Sequence, residues 1–78
     1  MSDVSPTEVV VDARGHRCPV PTLKLRRAWE TAPAGARLRL LADDPMAKID
    51  VPHFLAQVGG QLVELTEAES TFTFVIAK

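Results

Sequence analysis

Apolar and polar positions along this chain follow two periods, and the switches between them mark six elements. Glu8-Val9-Val10-Val11-Asp12 is a short β-branched run and predicts a strand. Ala13 to Arg17 reads as a turn in which Gly15 is free to take a positive φ. Cys18-Pro19-Val20-Pro21 then reads as the entrance to a helix. A proline disfavours the α region for the residue before it, so Cys18 is expected to be extended, as an N-cap residue is. Pro19 would be the first helical residue, where a missing N–H costs nothing, and Pro21 falls in the same permissive turn. The helix is predicted to run to Thr31 and to stop before Pro33 and Gly35. At about 100° per residue, Pro21, Leu25, Ala28, Trp29 and Ala32 share a face that should meet the core. Val20, Leu23 and Arg27 fall on the opposite side.

The second half repeats the pattern. Arg37 to Ala42 alternates, with Leu38, Leu40 and Ala42 on one face and Arg37 and Arg39 on the other, and predicts a half-buried strand. Asp43-Asp44-Pro45 follows as a turn in which Asp44 can cap a short helical turn led by Pro45. Pro52 argues against one continuous helix from Pro45, so the helix is expected to restart with Asp50 as cap. Val51, Phe54, Leu55 and Val58 supply its apolar stripe, and Gly59-Gly60 should end it through a left-handed cap. Gln61 to Glu67, with Val63 and Leu65 on one side, and Thr71 to Ala77, with Phe72, Phe74 and Ile76, predict a closing hairpin around Ala68-Glu69-Ser70.

The order βαβαββ predicts an α+β fold. Its first βαβ unit implies parallel strands joined by a right-handed crossover, and the hairpin adds an antiparallel pair. The expectation is a two-layer α/β sandwich: a mixed four-stranded sheet with both helices on one face and Arg37, Arg39, Glu64, Thr71 and Thr73 on the wet face. Residues 8–78 form a single domain preceded by a loose tail, residues 1–7.

Composition narrows the field. A chain of 78 residues has room for one modest core, and its 46% hydrophobic and 24% charged residues argue for a globular fold over disorder. The longest apolar run, Phe74 to Ala77, is far short of the roughly 20 residues a membrane-spanning helix needs. Met1 to Thr7 lacks the apolar stretch of a signal peptide, so the expected location is cytoplasmic. A net charge of -1 gives no global attraction to nucleic acid or anionic lipid.

Against that near-neutral background one stretch stands out. Arg14, Arg17, Lys24, Arg26 and Arg27 are five of the nine basic residues, and no acid occurs between Asp12 and Glu30. At the centre of this stretch sits Cys18, the only cysteine. A helix N-terminus and neighbouring cations both favour a thiolate, and such surroundings lower a cysteine pKa from about 8.5 to between roughly 3.5 and 7.5. Free N–H groups near Val20 and Thr22 would add donors to the sulfur. A single cysteine excludes an internal disulfide and a CxxC zinc site. His16 and His53 are the only imidazoles for a hydrolytic Cys–His pair, and a chain this small offers little room for a substrate cleft. His16, Cys18, Asp43 and Asp44 lack metal-ligand spacing, so no metal is expected. What remains is a thiol that accepts a group and passes it on: a lone thiolate can take a sulfur atom as a persulfide, with no neighbouring thiol to discharge it.

Asp12-Ala13-Arg14-Gly15-His16-Arg17-Cys18-Pro19-Val20-Pro21 resembles the Asp-x-x-Gly-x-x-Cys-Pro-x-Pro segment of the TusA/SirA-like sulfur-carrier family. Asp43-Asp44-Pro45, Asp50-Val51-Pro52, total length and element order extend the resemblance from about Val9 to Lys78. It implies the same βαβαββ sandwich, Cys18 as persulfide carrier, and Asp12, Gly15, Pro19 and Pro21 as supporting motif. It implies as partners a cysteine desulfurase or rhodanese-like donor and a thiol-bearing acceptor protein. The resemblance makes the chain a sulfurtransferase only in the carrier sense, without cofactor or metal. The relays of such proteins include tRNA thiolation, molybdenum-cofactor and sulfur-oxidation pathways.

Val20, Leu23, Lys24 and Arg27, with Arg14 and Arg17, form a candidate docking patch for those partners. The rival reading is a small RNA-binding or regulatory protein-docking module that uses the Arg14–Arg27 segment. The absence of tyrosine and a single tryptophan, placed on the core face, argue against a base-stacking platform, and direct nucleic-acid binding is not expected.

Overall fold

The computed structural model describes residues 8–17 and 19–78 of the chain. Six elements follow in the order β1 (Glu8–Asp12), α1 (Val20–Thr31), β2 (Arg37–Ala42), α2 (Ala47–Val58), β3 (Gln61–Ala68) and β4 (Thr71–Ala77). The expected tail, residues 1–7, lies outside the described residues.

The sheet is ordered β1-β2-β4-β3. β1 pairs with β2 in parallel, Val9 opposite Leu38 and Val11 opposite Leu40. β2 and β3 flank β4 in antiparallel register, with Leu38 and Leu62 both opposite Ile76. This is the expected mixed sheet, and α1 is the crossover that a parallel β1–β2 pair requires. Its consequence for function is positional. The two parallel strands end side by side at Asp12 and Ala42, so the turns after them share one end of the molecule, where ligand sites of open α/β sheets gather.

The core lies between the sheet and the helices. Leu25, Leu38, Leu40, Val51, Phe74 and Ile76 are fully buried, with Phe54, Leu55 and Phe72 close behind. Each such side chain stabilises the fold by about 1.5–3 kcal/mol relative to exposure, which sets the angle of α1 over β1 and β2. Pro21 is also fully buried, and Ala28 and Trp29 pack against the core from α1, as the helical period requires. Trp29 meets Phe54 of α2 edge-on, ring centroids 6.2 Å apart. The open C-terminal end of α1 is closed from far along the chain: Lys78 Nζ donates to the carbonyls of Trp29 at 2.5 Å and Ala32 at 2.6 Å. A cation there also complements the helix dipole.

Two expectations are corrected. α2 does not restart at Asp50; it runs unbroken through Pro52, and Asp50 lies within its first turn. The entry is wound tightly, with i→i−3 bonds from Ala47, Lys48 and Ile49 to Asp44, Pro45 and Met46. Pro52 sits on an exposed face, where water can reach the Lys48 carbonyl that it leaves without a donor, and Ala47 and Val51 are buried on the opposite face. Burial of that face outweighs the local objection to proline. Asp44 caps the entry as expected, its Oδ1 accepting the Met46 N–H at 3.1 Å. In β3 the register shifts between Leu62 and Glu64, so Leu62 and Leu65, not Val63 and Leu65, lie opposite the core-facing Ile76 and Phe74. A bulge inserts one residue and reverses the alternation beyond it. Gly59 caps α2 at φ 77°, in the expected left-handed conformation. No helix among the described residues is long and apolar enough to cross a membrane.

Candidate functional site

The turn after β1 is held by two carboxylates. The Asp12 side chain accepts the Arg14 backbone N–H at 3.1 Å and grips its guanidinium through Nε at 2.9 Å and Nη2 at 2.8 Å. These bonds, chiefly the side-chain one, hold the Asp12 carboxyl well below the usual carboxylate range and raise Arg14 further. Gly15 follows at φ 82°, in the left-handed region where a side chain is disfavoured although space is open around it. Its N–H donates to Asp43 Oδ2 at 2.9 Å, tying the first turn to the one after β2. The Ala13 N–H donates to the Leu41 carbonyl at 2.8 Å and carries the parallel ladder one residue past β1.

The helix entrance differs from expectation by one residue. Pro19 occupies the N-cap position and Val20 is the first helical residue, which places Pro21 at the second. Neither proline sacrifices a helical bond, because the first N–H groups have no acceptor inside the helix. The Val20 N–H donates to the Arg17 carbonyl at 2.9 Å, so this donor, expected to be free for sulfur, is already used. The first turn of α1 carries no acidic residue. Cys18 lies outside the described residues; its covalent neighbours Arg17 and Pro19 are both exposed.

Two concavities border this entrance. A groove of about 550 Å³ runs between α1 and β1, lined by Val20, Leu23, Lys24, Arg27 and Ala28 on one side and Val9 to Asp12 on the other. A cleft of about 570 Å³ lies between the two turns, lined by Gly15 to Arg17 and by Asp43 to Met46. The expected docking residues therefore divide. Val20, Leu23, Lys24 and Arg27 share the groove, Arg17 faces the cleft, and Arg14 is committed to Asp12. His16 lines the cleft, whereas His53 stands on α2 beside Gln57. No cluster of metal-ligating side chains occurs among the described residues.

Sequence reasoning missed two contributors. Asp43 was expected only as a turn residue, yet it anchors Gly15 from 28 positions away. The β1 backbone was expected only as a strand, yet it forms one wall of the groove. Neither has a local signal, since both arise from the parallel pairing of β1 and β2.

Comparison with known proteins agrees with this geometry. The family model described as Sulfurtransferase TusA matches residues 9–78. The chain is 35% identical over 78 residues to the sulfur carrier protein TusA of Pseudomonas putida strain GB-1, covering 100% of this chain and 96% of that one. It is 35% identical over 71 residues to the sulfur carrier protein TusA of Pseudomonas savastanoi pv. phaseolicola, covering 91% and 84% respectively. The SirA-like protein of Desulfitobacterium hafniense shares the fold, with a TM-score of 0.77 at 24% identity over 88% of this chain and 95% of that one. With the Asp12-to-Pro21 motif in place at the carboxyl end of the parallel strands and a family match spanning nearly every residue, the chain belongs to the TusA family of sulfur carriers.

Proposed function

We propose that Cys18 is the sulfur-carrying atom of a relay, loaded by a cysteine desulfurase or rhodanese-like donor and discharged to a cysteine of an acceptor protein. The observation that supports this most is the position of the chain's only thiol between exposed Arg17 and exposed Pro19, just before a helix whose first turn carries no acid. In loading, the Cys18 thiolate attacks the terminal sulfur of the donor persulfide. A bond forms between the Cys18 sulfur and that atom, the donor's S–S bond breaks, and the donor leaves as a thiolate. Discharge repeats the step with the acceptor thiolate as nucleophile, and Cys18 is the leaving group. Neither step needs an external oxidant or reductant. Asp12, Gly15, Pro19 and Pro21 act as positioning residues: they fix the turn and stiffen the entrance. Val20, Leu23, Lys24 and Arg27, with Arg17 and Arg14 at the rim, receive the partner.

Intact mass spectrometry after incubation with a cysteine desulfurase and cysteine tests this reading. The expected result is a gain of one sulfur atom that dithiothreitol removes and that Cys18→Ser abolishes. Sulfur gained equally by Cys18→Ser, or none gained by the native chain, would overturn it.

A further inference from the structure

The two edges of the sheet are unlike. β3 carries a bulge after Leu62 and three carboxylates, Glu64, Glu67 and Glu69, along its strand and turn, features that discourage pairing. β1, the other edge, has no proline, no lysine and no bulge, and its centre is Val9-Val10-Val11. Its two acids are neutralised, Glu8 by Arg39 at 3.2 Å and Asp12 by Arg14 at 2.8 Å.

The direction of its unused hydrogen bonds follows from the ladder. The Ala13 N–H points to Leu41 of β2. Backbone groups alternate along a strand, so those of Val9 and Val11 also turn toward β2 and those of Val10 turn outward into the groove. Leu23, 55% exposed, and Val20 stand across from them, and Lys24 and Arg27 form no salt bridge with a described residue. The groove thus offers a strand edge, an apolar wall and two available cations.

We infer that the β1 edge takes up an extended segment of the relay partner as a fifth strand, one whose helix-facing side chains, at every second residue, include both apolar and acidic groups. Main-chain bonds to Val10 supply register, Val20 and Leu23 receive the apolar side chains, and Lys24 and Arg27 meet the carboxylates. Since Val20 is two residues from Cys18, a segment seated there brings its flanking residues to the thiol. The inference rests on the carrier reading for the partner's identity, and its test needs no sulfur chemistry.

That test is an amide-resolved NMR titration of the full-length Cys18→Ser chain with a blocked Val-Thr-Glu-Thr repeat peptide, which sets valine and glutamate on the same face of a strand. Shifts and slowed hydrogen exchange should concentrate on Val10 and its β1 neighbours and on Val20 to Arg27, and a Val-Thr-Lys-Thr repeat should leave them unmoved. Val10→Pro removes an outward N–H while sparing the β2 ladder and should weaken binding at least ~10-fold. Should that variant fold poorly, Lys24→Glu with Arg27→Glu should give a comparable loss with an intact spectrum. Perturbation centred on β3, tight binding retained in Val10→Pro, self-association through β1, or an edge already protected by residues 1–7 would each overturn the proposal. Failure of Cys18 to accept sulfur would instead sink the carrier reading alone.

Discussion

Gly60 shows how closely single residues are fitted where the two helices meet the sheet. A Cβ built there would come within 2.5 Å of Trp29 Cη2 and 2.9 Å of Leu55 Cδ2, closer than real Cβ atoms approach. Trp29 has little freedom to retreat, since it is wedged edge-on against Phe54 and lies under the Lys78 ammonium at 5.4 Å. Gly60→Ala is expected to destabilise by about 1–3 kcal/mol through overpacking, and urea denaturation checks it. An unchanged midpoint would mean that the α1–α2 contact is loosely packed. Gly15 is glycine for a different reason. It has open space around it, and its left-handed backbone presents its N–H to Asp43.

At the scale of elements, the β3–β4 hairpin holds the clearest local conflict. Its turn residues Glu69 and Ser70 have φ of 52° and 66°, the left-handed pair that a type I′ turn demands, and neither is glycine or asparagine. Left-handed backbone costs an ordinary residue roughly 1–2 kcal/mol. Glu69→Asn with Ser70→Gly should therefore stabilise by about 1 kcal/mol, or roughly 4–8 °C in Tm, read by calorimetry. A lower Tm would show that the native pair makes compensating contacts. The hairpin was legible in sequence because two strands with alternating patterns flank a short polar break. β1, β2, β4 and the end of α1 were legible for the same reason: period, turn residues and proline act over a few positions. What failed was decided at longer range. Pro52 reads as a helix breaker until Ala47 and Val51 are seen buried beneath the same helix. The Val63 bulge depends on pairing with β4, and the Asp43–Gly15 bond exists only because β1 and β2 end together. The candidate site divides likewise: the motif from Asp12 to Pro21 is written in the chain, and the groove beside it is made by the fold.

The whole molecule is nearly neutral, yet its charge is polarised. Lys24 and Arg27 line the β1 edge with Arg14 and Arg17 at the turn beyond it, and Glu64, Glu67 and Glu69 lie along the other edge. Such an arrangement orients encounters with acidic partners and makes their rate fall with added salt. Accepting sulfur is half of a carrier's work; the account stands on the handover. The most direct measurement loads Cys18 with labelled sulfur, removes the donor, adds glutathione, and traps the products by alkylation. If the terminal sulfur is transferred, the label appears in glutathione persulfide and Cys18 returns to a free thiol. Label released as sulfide, with Cys18 left in a mixed disulfide with glutathione, or label that stays on the protein, would contradict the account.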